Sequence, residues 1–192
     1  HNRLLRVALI NSYLKGQAHL LNVDNNCILT GHNSAGKTTL MGAIAPFYGV
    51  PLSAIARKSE VNKSFIEFYL PYDNSYIVYE YVRDGQSRCV ILSSQDKKQI
   101  FNFINSSYKD DWFIGKRNDE LYFKGSVEVM RAIKSQGLQV SSNISQLEYE
   151  AIISNCPMKL LKITSAQARR TIAKYRPDYA LTSDPHATFF GF

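Results

Sequence analysis

An α/β fold, built as a mixed sheet continued by an antiparallel β-meander and packed by helices, is what three features of this sequence predict. Gly31-His32-Asn33-Ser34-Ala35-Gly36-Lys37-Thr38 has the spacing Gly-x-x-x-x-Gly-Lys-Ser/Thr, and the apolar, strand-like run Cys27-Ile28-Leu29-Thr30 leads straight into it. Asp84-Gly85 is a hairpin signal between two runs rich in Tyr, Ile and Val. Ser145-Gln146-Leu147-Glu148 is a capping box, in which Ser and Glu reciprocally satisfy the first backbone donors of a helix.

The elements follow in order. Strands are predicted over 4–11, 18–23 and 26–30, with Asp24-Asn25 as the turn between the last two. A helix from Lys37 carries the apolar stripe Leu40, Met41, Ile44 and Ala45, and Pro46 ends or kinks it because the ring clashes with the preceding turn. Strands then fall at 65–70, 75–82 and 88–93, and weaker ones surround Trp112 and 121–124. A helix over 126–136 closes at Gly137 as a left-handed cap. The capping box opens another that stops before Pro157, and a last helix spans 165–175. This divides the chain into a loop-bearing core at about 1–50, a meander at about 64–94 and a helical part at about 126–176, without a clear domain boundary.

The loop sequence carries the chemistry. Its two glycines let the backbone curl so that N–H groups point inward at phosphate oxygens. Lys37 adds a cation for the β/γ-phosphates, and the Thr38 hydroxyl is a Mg²⁺ ligand. The helix that follows aims its positive end at the same anion. Ser34, Ala35, Gly36, Lys37, Thr38 and Thr39 are therefore the candidate triphosphate-holding groups, with Gly31 and Asn33 shaping the turn, and ATP or GTP is the expected ligand.

Composition sets bounds. With 192 residues, 45% of them hydrophobic and 12% aromatic, the chain can bury one sizeable core, as a single domain or one lobe of a larger one. A formal charge of +7 and an isoelectric point near 9.3 suit anionic partners, or a solvated surface with a modest lysine and arginine excess. Cys27, Cys89 and Cys156 form no Cys-x-x-Cys pair, so neither a disulfide framework nor a zinc site is expected, and a reducing cytoplasm fits. No apolar stretch approaches the ~18 residues of a membrane span.

A self-contained NTPase of this class needs a second apolar strand ending in Asp or Asp-Glu to hold Mg²⁺ and poise water. The nearest run, Tyr76-Ile77-Val78-Tyr79-Glu80-Tyr81, offers a lone Glu and reads as an ordinary strand. A guanine-reading Asn-Lys-x-Asp and a Leu-Ser-Gly-Gly-Gln-like signature are also missing, so the sequence reads as part of an ATPase.

The segment 27–45, CILTGHNSAGKTTLMGAIA, resembles the N-terminal head of structural-maintenance-of-chromosomes (SMC) proteins and of their bacterial relatives of the MukB, RecN and RecF kind, whose loop reads Gly-x-Asn-Gly-x-Gly-Lys-Ser/Thr. The resemblance is specific over about the first 45 residues. It implies the N-terminal lobe of a P-loop NTPase of the ABC/SMC-head type, in which the loop and the catalytic acid come from opposite ends of a chain separated by a coiled coil. In that family Ile-x-Gln-Gly forms a Q-loop, and Asn143-Ile144-Ser145-Gln146-Leu147-Glu148 looks like it. The resemblance thus gives Gln146 a role toward Mg²⁺ and the attacking water; without it, Gln146 is a solvent-facing residue in a helix's first turn. Gln136 and Gln139 are lesser candidates. Arg57-Lys58 falls where such heads place an Arg touching nucleotide or DNA, and otherwise is a surface charge pair. Ser34 in place of Gly, Pro46, and Leu147 where Gly often follows the Gln depart from the family pattern.

The function implied is the ATP-binding half of a head that, with ATP and Mg²⁺, uses binding and hydrolysis to drive head engagement and action on DNA. Lys37 and Gln146 would serve catalysis, and Thr38 and Gln146 the metal. The implied partners are the C-terminal half of the same head, a second head as a dimer, and double-stranded DNA, with no membrane. Lys58, Lys63, Lys159, Lys162, Arg169 and Arg170 are the cations available to a DNA-facing surface. The alternatives are a non-catalytic nucleotide-sensing module and, less favoured, a small-molecule kinase.

Overall fold

The computed structural model describes residues 4–23, 34–55 and 63–153 and the helical positions 166, 170 and 174, with the backbone alone for 34–38. Five strands form one sheet: β1 (Leu4–Ile10), β2 (Ala18–Asn22), β3 (Tyr76–Arg83), β4 (Gln86–Gln95) and β5 (Lys98–Ile104), in the order β2-β1-β3-β4-β5. Each neighbouring pair is antiparallel, so among the described residues the sheet is not mixed. The strand expected over 26–30 lies outside the described residues.

Alternation along the strands builds two cores, because successive side chains point to opposite faces. Val7, Leu9, Ile77, Tyr79, Tyr81, Val90, Leu92, Phe101 and Phe103 pack on one face beneath α1 (Ser34–Ile44), α2 (Phe65–Tyr69) and the helix over 146–153. Ala8, Ile10, Tyr76, Val78, Cys89, Ile91 and Ile104 pack on the other beneath Trp112, Phe113 and α3 (Ser126–Ser135). A sheet buried on both sides has near-continuous apolar strands, which is what Tyr76–Val82 reads as.

Several expectations need correction. Phe65–Tyr69 is helix, not strand: Ser64 Oγ accepts from Glu67 N at 3.1 Å, an overlooked Ser-x-x-Glu capping pattern that outweighed the β-favouring Phe, Ile and Tyr. β5 was not anticipated, because its hairpin turns on Asp96-Lys97, both at positive φ (51° and 62°), and a Lys there gives no sequence cue. Trp112 sits in a 3-10 turn over Asp110–Trp112, followed by the hairpin β6 (Ile114–Arg117) and β7 (Glu120–Phe123). Asp84-Gly85 turns as predicted, with φ of 51° and 72°, and Gly137 takes φ of 73° after α3. The last predicted helix is represented by Ala166, Arg170 and Lys174, all helical and exposed.

Candidate functional site

The loop's helix, α1, begins at Ser34, three residues before the predicted start at Lys37, and gives way at Ala45 to a 3-10 turn over Ala45–Tyr48 with Pro46 in its first positions. Three tyrosine hydroxyls from three different elements hold α1 and the 3-10 turn that continues it. Tyr69 of α2 donates to Thr39 O, Tyr79 of β3 to Ala43 O and Tyr149 to Phe47 O, each at 2.5 Å. Carbonyls spaced four apart lie on one helix face, so the tyrosines form a row that fixes α1 along its axis as well as against the sheet. Burial pushes the Tyr79 phenol well above its ordinary value, which keeps this donor protonated. Gly42 lies within the row because a Cβ there would come 2.5 Å from Tyr69 Oη. Sequence reading missed this row; the signal available was the number of tyrosines in otherwise apolar runs.

On the same face, α4 (Gln146–Ile153) starts with Ser145 Oγ accepting from Glu148 N at 3.3 Å, the Ser half of the predicted capping box. Ile144 pairs with Phe101, and Tyr149 stacks on Phe101 at 3.9 Å with 3° between the rings, so α4 is seated on β5. Gln146 is the first helical residue. Its side-chain Oε1 and Nε2 are both buried, and neither has a hydrogen-bond partner among the described residues. Buried amide atoms are almost always paired, which sets this side chain apart from most of the polar groups described on this face.

Gln146 lines a cavity of about 810 Å³ with Leu52, Phe65, Tyr72, Asp73 and Lys97. α2 ties this cavity to α1, since Phe65 lines it while Tyr69 binds Thr39 O and receives the Ser12 hydroxyl at its own carbonyl, 2.6 Å away. The N-terminal half of α1 and Gln146 therefore share one end of the sheet, the end bearing the β1–β2 and β4–β5 turns. The hollow itself is poor ground for a polyanion, because Glu67, Asp73 and Asp96 outnumber Lys97 in its lining. The first-turn N–H groups of α1 have no acceptor within the helix and are the backbone donors this end of the sheet offers to an anion.

The other predicted residues distribute as follows. Gly31, Asn33 and Arg57 lie outside the described residues, and for Ser34, Ala35, Gly36, Lys37 and Thr38 the helical backbone is described. Thr39 is half-buried at the Tyr69 contact. Gln136 is committed elsewhere, accepting from Trp112 Nε1 and donating to Asp111, each at 3.1 Å, which removes it as a Q-loop candidate. Gln139 Oε1 accepts from Lys174 Nζ. Lys63 and Arg170 are exposed, whereas Lys58, Lys159, Lys162 and Arg169 are outside the described residues.

On the opposite face, Glu80 accepts from Arg6 Nε at 2.8 Å and Nη2 at 2.7 Å and from Tyr108 N at 2.7 Å. These three bonds tie the carboxylate to β1 and to the backbone at Tyr108. Burial pushes the Cys89 thiol well up, so it stays an unreactive apolar filler. Among the described residues no three of His, Cys, Asp and Glu group to hold a metal, and no helix is long and apolar enough to cross a membrane.

No curated protein and no solved structure matches this chain. The family described as Protein of unknown function (DUF3584) matches residues 8–188. With nearly its whole length matched, the chain belongs to the DUF3584 family.

Proposed function

We propose that this chain is the nucleotide-binding part of a split, SMC-like ATPase head, acting with ATP and Mg²⁺ in the cytoplasm. The observation that carries the reading is the meeting of Gly31–Thr38 with a helix whose first turn falls inside that motif and which three tyrosines lock in position. The buried amide of Gln146, which has no hydrogen-bond partner among the described residues, lies at the same end of the sheet and supports it independently.

In this reading the first-turn N–H groups from Ser34 to Lys37 bind phosphate oxygens, and the Lys37 ammonium neutralises charge that develops on the transferring phosphoryl group. Thr38 and Gln146 are the residues that would hold Mg²⁺, which would supply further neutralisation of phosphate charge. The Gln146 amide would orient a water, since its oxygen can accept and its nitrogen can donate. The catalytic acid and the signature motif would come from a complementing C-terminal half and a second head, so the chain alone binds nucleotide and hydrolyses almost none. DNA is the proposed substrate of the engaged heads.

The test is ATP hydrolysis at saturating ATP and Mg²⁺, with and without a C-terminal half expressed from the same reading frame. Turnover that appears only in the mixture is the expected result. ATP binding that persists with no turnover in the mixture would favour the sensing module, and phosphate transfer to a small acceptor would favour a kinase.

A further inference from the structure

Tyr69 differs from the other two tyrosines of the row in where it binds. Its acceptor, Thr39 O, belongs to the residue two beyond Lys37, about 3 Å along the helix axis. Ala43 O, the acceptor of Tyr79, lies about 6 Å further on, and Phe47 O, the acceptor of Tyr149, is past the helix in the 3-10 turn. Of the three ties, the one from Tyr69 is the nearest to Gly31–Thr38. Its hydroxyl is itself fixed from several sides. Tyr69 is 1% exposed, and its ring lies 4.4 Å from that of Phe65, 4.7 Å from that of Phe68 and 6.3 Å from that of Tyr13. Its carbonyl accepts from Ser12 Oγ at 2.6 Å, which anchors the end of α2 to the residues that follow β1. Gly42, a poor residue for a helix interior, leaves open the space the hydroxyl occupies, since a Cβ there would lie 2.5 Å from Tyr69 Oη.

We propose that Tyr69 is a positioning residue of the nucleotide site, setting the affinity for a triphosphate by holding the first turns of α1 in one orientation before the ligand arrives; this rests on the reading of Gly31–Thr38 as a phosphate-binding loop. Backbone donors bind an anion best when already aimed, because any ordering required at binding is subtracted from the affinity. Releasing the tie lets that end of the helix sample other orientations, and the affinity falls by the fraction of time the competent one is populated. What one buried hydrogen bond contributes bounds that fraction, which limits the loss to about three- to tenfold.

The experiment is titration of the 192-residue chain with a fluorescent ATP analogue in Mg²⁺, for wild type, Tyr69→Phe, Gly42→Ala, Tyr76→Phe and Lys37→Ala, at a temperature where circular dichroism shows each protein folded. Tyr76→Phe is the matched control, because it removes a hydroxyl that donates to Lys124 O at 2.9 Å on the opposite face of the sheet. Tyr69→Phe should bind about three- to tenfold more weakly than wild type. Gly42→Ala, which pushes the same hydroxyl off Thr39 O while improving helix propensity, should weaken binding in the same way, and Tyr76→Phe should match wild type. A residue that serves global stability alone leaves the affinity of a fully folded protein unchanged. Wild-type affinity in Tyr69→Phe or in Gly42→Ala, or an equal loss in Tyr76→Phe, would therefore overturn the role of Tyr69 while leaving the nucleotide reading in place. No binding by wild type, or binding indifferent to Lys37→Ala, would instead refute that reading, and this role with it.

Discussion

Tyr149→Phe isolates one atom of the row that holds α1. The phenylalanine keeps the ring that stacks on Phe101 at 3.9 Å and on Phe103 at 5.8 Å, and removes only the hydroxyl that donates to Phe47 O. Both partners are buried, Tyr149 and Phe47 being 0% exposed, so water cannot replace the lost donor. Losing a buried hydrogen bond costs about 0.5–1.5 kcal/mol, which for a chain of this size lowers Tm by about 1–6 °C. Tyr149→Ala also removes the ring and should cost about 3–5 kcal/mol. Urea unfolding followed by Trp112 fluorescence is a suitable assay, since that indole is buried on the opposite face of the sheet and reports unfolding as a whole. Stability of Tyr149→Phe within about 0.3 kcal/mol of wild type would refute the claim that the hydroxyl row holds the helix, because a change that small is below what a lost buried bond produces.

Glu80→Gln leaves an acceptor for Tyr108 N but breaks the two-pronged pairing with Arg6, so it should destabilise by about 1–3 kcal/mol; the range is below that of a fully buried pair because the Arg6 side chain is 32% exposed. Equal urea midpoints for Glu80→Gln and wild type would contradict this. Burial raises the Tyr48, Tyr76, Tyr79 and Cys89 pKa values above their ordinary ones. The folded state therefore favours their protonated forms, and the stability this contributes is complete below the unfolded pKa values and lost as pH rises past about 9–10. Unfolding free energy measured between pH 7 and 11 should fall across that window, and peptide mapping after iodoacetamide at pH 8 should find Cys89 unmodified; a flat profile with rapid Cys89 labelling would count against the packing described.

How much of this was legible in the sequence depended on whether a local signal existed. Asp84-Gly85, Gly137 and the Ser145–Glu148 box name their backbone conformations through glycine freedom or side-chain capping, and each appears where predicted. Asp96-Lys97 and Asn118-Asp119 make the same kind of turn without glycine, at positive φ throughout, so β5 and the β6–β7 hairpin were missed or blurred. Phe65–Tyr69 shows a cap outweighing propensity in a short apolar run. The site's chemical groups were visible as a motif, but their support was not. Nothing in local spacing relates Tyr69, Tyr79 and Tyr149 to one helix, because those contacts span 30, 36 and 102 residues.

The central claim is that the turn entering α1 holds a nucleoside triphosphate through its backbone donors and the Lys37 ammonium. Titrating wild type and Lys37→Ala with a fluorescent ATP analogue in Mg²⁺ tests it directly. Loss of a charge-assisted contact to phosphate, worth about 1.5–3 kcal/mol, predicts an affinity at least about tenfold weaker in the variant. Equal affinities in two proteins with the same far-ultraviolet circular dichroism and Tm would contradict it.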